Sequence, residues 1–154
     1  MLLQRLRSLA RISASERWFA LRALGLMVGV RLAMRWMPFG RLRTWVDRVA
    51  TFAQRPPAAP DPDRARAVRR AVSRATRTIP GSVCLAQALT AELLLRRDGQ
   101  PARVSIGVAR DGKPLDAHAW VESAGVLVTG DSEDLATYRT LAVFGTDAGP
   151  GGAP

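Results

Sequence analysis

The run CLAQALTAELLLRRDG, Cys84 to Gly99, governs the reading of this chain. It is rich in Ala, Leu, Gln, Glu and Arg, the strongest helix formers, and Gly99 supplies a C-terminal stop. One helix is predicted, with Cys84 at its start and the loop Pro80-Gly81-Ser82-Val83 before it. Beyond Gly99 the period changes from helical to alternating. ARVSIGVA, residues 102–109, sets Val104, Ile106 and Val108 against small or polar neighbours, which predicts a strand. Arg110-Asp111-Gly112-Lys113 predicts a hairpin turn, because Asp-Gly accepts positive φ. AHAWVES, residues 117–123, is a second strand, Gly125 a turn, and VLVT from Val126 a third strand. A helix followed by at least three antiparallel strands makes the class α+β.

Outward from this core, residues 1–54 read as a basic helical region. Leu2, Leu3, Leu6, Leu9 and Ala10 recur at helical spacing among arginines. Ser13 with Glu16 is a capping-box signature for a second helix carrying Trp18, Phe19, Leu21, Leu24, Met27 and Val28 to about Met37. Pro38 and Gly40 punctuate it, and a third helix is expected near Arg41 to Phe52. RPPAAPDP, residues 55–62, is a linker by composition. Asp61 then reads as an N-cap with Pro62 at the first helical position, opening a helix with Ala65, Val68, Val72, Ala75 and Ile79 on one face. The core is assigned to residues 63–144, and residues 145–154 read as a flexible tail.

With 154 residues there is room for about one domain. Twenty-three Lys and Arg against thirteen Asp and Glu favour acidic partners without choosing among them. The single cysteine permits no internal disulfide, which fits a reducing compartment. With a single histidine as well, a zinc site is not expected, and no cofactor is called for. The most apolar run, Ala23 to Val30, is bounded by Arg22 and Arg31 and falls far short of the roughly 20 residues a membrane span needs. No secretory signal is legible, so a cytoplasmic protein is the simplest expectation, with peripheral membrane contact left open. No nucleic-acid motif or aromatic interleaving is evident, so no nucleic-acid partner is expected.

Chemistry concentrates on two residues. A helix N-terminus favours a thiolate through its unpaired amides and aligned dipoles, and Cys84 stands there. The same amides could bind an oxyanion, and Gln87, nearly one turn on, is a further donor candidate. A lone cysteine is more often a small buried hydrophobe, so context must decide. That context is His118, sharing one strand face with Trp120 and Glu122, while Ala117, Ala119 and Val121 face the other way. Small Ala neighbours allow another element to approach, bringing a general base to the thiol. A carboxylate would complete a triad by orienting the imidazole. Asp131 is preferred, and Asp116 and Glu122 are alternatives.

Taken together, Cys84-Leu85-Ala86-Gln87-Ala88-Leu89, Arg96-Arg97-Asp98-Gly99, Ile106-Gly107-Val108 and Ala117 to Glu122 resemble the transglutaminase-like leader peptidases of lasso-peptide biosynthesis. The resemblance spans roughly Ala65 to Phe144, and the N-terminal Arg/Leu-rich helices are similar to those of the family's stand-alone peptidase subunit, the split B protein. It implies a papain/transglutaminase-like core in which a nucleophile helix packs on an antiparallel sheet. It also implies catalysis by Cys84, His118 and Asp131, with Asp134 the weaker match for the orienting carboxylate and Gln87 and Trp120 as oxyanion or substrate candidates. The implied partners are a precursor peptide (leader plus core), a separate leader-recognition protein and a lasso cyclase. Two other classes stay in view: another thiol enzyme on this fold performing acyl or amide transfer, and a non-enzymatic basic adaptor.

Overall fold

The computed structural model describes residues 13–52, 54–79, 81, 83–109, 117–130 and 135–146. The first predicted helical segment, the 110–113 turn and residues 147–154 lie outside them. Among the described residues four helices precede a sheet: α1 (Ala14–Trp36), α2 (Phe39–Phe52), α3 (Pro62–Thr78), α4 (Cys84–Arg97), β1 (Ala102–Ala109), β2 (Ala117–Ser123), β3 (Val126–Thr129) and β4 (Tyr138–Thr146), with a 3-10 turn at Leu135–Thr137. The sheet is antiparallel throughout, in the order β3-β2-β1-β4. The α+β reading therefore stands. The sequence missed β4, whose register with β1 runs from Ala102↔Thr146 to Ala109↔Tyr138 and slips between Ile106 and Gly107. That slip breaks the two-residue alternation by which a strand is recognised. The strand also runs two residues past Phe144, into the stretch whose composition reads as tail.

Helix starts follow their local chemistry. Ser13 accepts from the Glu16 amide, and Asp61 accepts from the amides of Asp63 and Arg64 ahead of Pro62. Helix α4 begins differently: Val83 occupies the cap position and gives no side-chain cap.

Helix α4 is buried all round, with every residue from Ala88 to Leu95 inside. Ala88, Ala91, Leu94 and Leu95 pack with Ala23 and Met27 of α1, with α3, and with Val104, Ala119 and Val121 of the sheet. Ala86, Leu89 and Leu93 pack with Val30 of α1 and Leu42, Val46 and Ala50 of α2. The proline-rich segment is fastened to the far end of α4: Arg55 N–H donates to Arg97 O at 3.0 Å and Ala58 N–H to Gly99 O at 3.0 Å. Among the described residues no helix is long and apolar enough to cross a membrane.

A helix enclosed on every side must satisfy its polar residues internally. Glu92, fully buried, accepts from both terminal nitrogens of Arg43 and, at 3.0 Å, from Arg96. Asp47 takes the same two arginines at 2.8 and 2.6 Å. Burial works to raise the Asp47 carboxyl, and the hydrogen bonds from Arg43 and Arg96 outweigh it, holding the group below the usual carboxylate range. Arg43 is likewise held above its ordinary value: burial opposes its charge, but Glu92 and Asp47 prevail.

Arg43→Ala is expected to cost about 3 kcal/mol, since it strips a fully buried carboxylate of its main partner; urea unfolding checks this. A depressed Asp47 binds fewer protons folded than unfolded. Its contribution is therefore complete above about pH 4 and is lost as pH falls through its lower folded value. Asp47→Asn should accordingly flatten the acid limb of a melting-temperature-against-pH curve.

Candidate active site

Cys84 is the first residue of α4 and half-buried. The first amide to bond inside the helix is that of Gln87, to Val83 O at 3.2 Å. The three amides before it, residues 84–86, have no intrahelical acceptor, and the Val83 side chain supplies none. The uncapped end is therefore a set of N–H donors beside the sulfur. Cys84 Sγ–H donates to Ala117 O at 3.8 Å, which seats the thiol against the first residue of β2. This approach depends on the small residues flanking the histidine: Ala119 sits in the core with α4, only 2 % exposed.

His118 follows immediately on β2, and alternation sends its ring to the sheet face away from Ala119. There it pairs across the ladder with Gly107. Trp120 lies near-parallel to the imidazole with centroids 6.3 Å apart, and Tyr138 of β4 lies 5.3 Å away on the same face. Two glycines make room for this arrangement. A Cβ on Gly107 would come within 3.2 Å of the Trp120 ring. Gly130, at φ +93°, brings the backbone against Trp120 so closely that a Cβ would overlap the Trp120 Cβ, and would sit 3.4 Å from His118 Nε2. His118 Nε2 is buried and has no hydrogen-bond partner among the described residues. The Nε2 edge thus faces the end of β3, leaving Nδ1 as the other nitrogen.

Cys84 and His118 together border two cavities. One, of about 490 Å3, is walled by Arg69, Ser73, Thr76 and Arg77 of α3, with Gln87 and Thr129. The other, of about 370 Å3, is apolar, walled by Phe39, Leu85, Ile106, Leu141, Ala142 and Phe144. A thiol at an uncapped helix end, an imidazole, and a cleft on either side form the arrangement that thiol acyl chemistry requires.

A model of the Transglutaminase-like superfamily matches residues 25–143, more than half of the chain. The chain belongs to that superfamily. No curated protein and no solved structure matches it. Membership in the transglutaminase-like superfamily makes this the fold of thiol-dependent peptidases and transferases. The matched span takes in part of α1, all of α2, α3, α4 and β1 to β3, and β4 as far as Val143.

Of the residues singled out from sequence, the structure brings together Cys84, His118 and Gln87, all lining the larger cavity. Trp120 is 7 % exposed and lines neither cavity; it braces the imidazole. Glu122 is exposed and four residues beyond His118 on an extended strand, about 13 Å away along it, so it is not brought to the ring. Asp116, Asp131 and Asp134 lie outside the described residues. The α3 wall and Tyr138 were missed by sequence reasoning. Residues 69, 72, 73, 76 and 77 do form one helical stripe, in which Ser73 and Thr76 interrupt an otherwise Arg-rich surface.

Gly130→Ala combines a left-handed backbone with overlap at Trp120. It should lower stability by about 2 kcal/mol or more and shift the emission of Trp120, checked by calorimetry and fluorescence.

Proposed function

We propose that the protein is a cysteine peptidase that removes the leader peptide from a lasso-peptide precursor. The observation that carries the thiol-peptidase part is the placing of Cys84, at the uncapped N-terminus of α4, against the first residue of β2, with His118 bordering the same two cavities. The choice of substrate rests on the motifs from Cys84 to Glu122 and their resemblance to the leader peptidases.

In this reading His118 Nδ1 takes the thiol proton and Cys84 Sγ attacks the scissile carbonyl carbon. The oxyanion is received by the amides at the start of α4, with Gln87 in reach of the same cavity. His118 then protonates the departing amine, leaving a thioester on Cys84. Water, deprotonated by the same imidazole, hydrolyses the thioester. The orienting carboxylate is Asp131: Nε2 faces Gly130, and Asp131 is the next residue in the chain. The freed amino terminus of the core peptide is the group that an ATP-dependent cyclase joins to an acidic side chain. The chain acts in the cytoplasm with a separate leader-recognition protein that delivers the precursor.

The test is cleavage of the precursor in the presence of the leader-recognition protein, followed by mass spectrometry. Cys84→Ala and His118→Ala should abolish cleavage, with circular dichroism unchanged for Cys84→Ala, because Ala fits a helix start. Asp131→Ala should lose less, as the orienting member of such a unit commonly does. In the isolated protein, iodoacetamide should alkylate Cys84 faster at neutral pH than in unfolded chain, and His118→Ala should remove the advantage. A thiol that reacts only after unfolding would sink the reading. An amine-adduct product in place of the free acid would reassign the enzyme to acyl transfer.

A further inference from the structure

Helix α1 is apolar on two faces. Its inward face, Ala23, Met27, Val30 and Ala33, is buried in the core. Its outward face carries Trp18 and Trp36, 72 % and 79 % exposed, with Leu21, Val28 and Leu32 exposed between them. Steps of three and four residues set these side chains in one stripe. Gly25 and Gly29 fall in its middle, where a Cβ on either would meet nothing within 4 Å. Scattered exposed hydrophobes are ordinary, but a continuous apolar stripe marks a surface that something covers. The stripe is nearly symmetrical. Gly25 and Gly29 stand two residues either side of Met27, Leu21 and Leu32 six and five, and Trp18 and Trp36 nine. Such a face is complementary to itself when a second copy runs antiparallel across a two-fold axis, each residue meeting the one at the mirrored position. The five side chains offer about 600 Å2 per chain, so two copies bury about 1,200 Å2, the lower edge of what specific complexes need.

We propose that α1 is a self-association surface through which two copies of this chain pair antiparallel, crossing at Gly25 and Gly29. The bare glycines let the two backbones approach, and the tryptophans of each copy come level with those of the other. Leu32 borders a cavity of about 430 Å3 shared with Met34, Arg35 and Val83, and Trp18 of the second copy reaches the stripe at this end. Val83 directly precedes Cys84, so pairing brings the second copy beside the start of α4. A lipid surface suits the stripe less well, because it takes up bulky apolar side chains and gains nothing from a bare centre. Each chain has a formal charge of +10, and Arg17 and Arg35 are exposed beside the stripe. Like charges therefore oppose the pairing, which makes the dimer reversible and strengthens it in moderate salt.

Sedimentation velocity of the full chain, from micromolar to millimolar concentration and with reductant present, should show a monomer–dimer equilibrium. Gly29→Leu should raise the dissociation constant by about tenfold or more, because a side chain then fills the crossing. The dilute Gly29→Leu monomer should melt no lower than the parent, since Leu has open space there and is the better helix former. Trp36→Ser should weaken pairing as well. Phe52→Ser removes an aromatic that is 89 % exposed but off the stripe, and should leave pairing unchanged. In a Cys84→Ala background, Val28→Cys, beside the axis, should be joined to its counterpart by a short bismaleimide. Ala14→Cys, about 39 Å from its counterpart in an antiparallel pair, should not. Crosslinking of both would overturn the antiparallel arrangement. A monomer at every concentration, or pairing indifferent to Gly29→Leu and Trp36→Ser, would overturn the self-association surface. So would a chain that stays monomeric and binds phosphatidylglycerol vesicles, more tightly as Gly29→Leu, which would assign the stripe to lipid.

Discussion

Everything in this molecule is arranged around the enclosure of α4. A helix with apolar residues on every face cannot stop at one partner layer; it needs cover all round. The sheet and α3 cover one side, through Val104, Ala119, Val121 and Val72, and α1 and α2 cover the other, through Val30, Leu42 and Val46. Enclosure then dictates what polar groups the helix can carry. Thr90 turns its hydroxyl back to Ala86 O at 2.7 Å, and Glu92 is admitted only with two arginines around it. The four-charge cluster joins α2 to the middle of α4, so the helices ahead of α3 are packed into the same core as the helix that carries Cys84.

Rigid enclosure of the helix body contrasts with its open N-terminus. The interior of α4 is anchored over its length, whereas its first turn has no side-chain cap and emerges where β2 begins. Its amide donors and the Cys84 sulfur are thus positioned by a fixed body while no side chain caps them. The imidazole is held by a different set of contacts, between Trp120 and Tyr138 on the face of the sheet away from α4. Thiol and imidazole therefore arrive from separate layers and border the same two cavities.

The sequence alone determined the helix at 84–97, because composition, loop and glycine stop agree there, and the strands at 102–109 and 117–123, because alternation is clean. It also marked Cys84 and His118, each the single residue of its kind. It could not show β4, whose bulge disturbs the alternation, or the polar lining of one cleft, which comes from α3, outside the Cys84–Glu122 motifs. Nor could it show that RPPAAPDP, extended by its prolines, hydrogen-bonds to the end of α4. Which neighbour plays which part was decided only by tertiary structure: Trp120 braces the imidazole because Gly107 and Gly130 vacate the space for its ring, and Glu122 is removed from the site by the length of strand between it and His118. Local propensity is written residue by residue, whereas a cleft is made of side chains that meet only when layers pack.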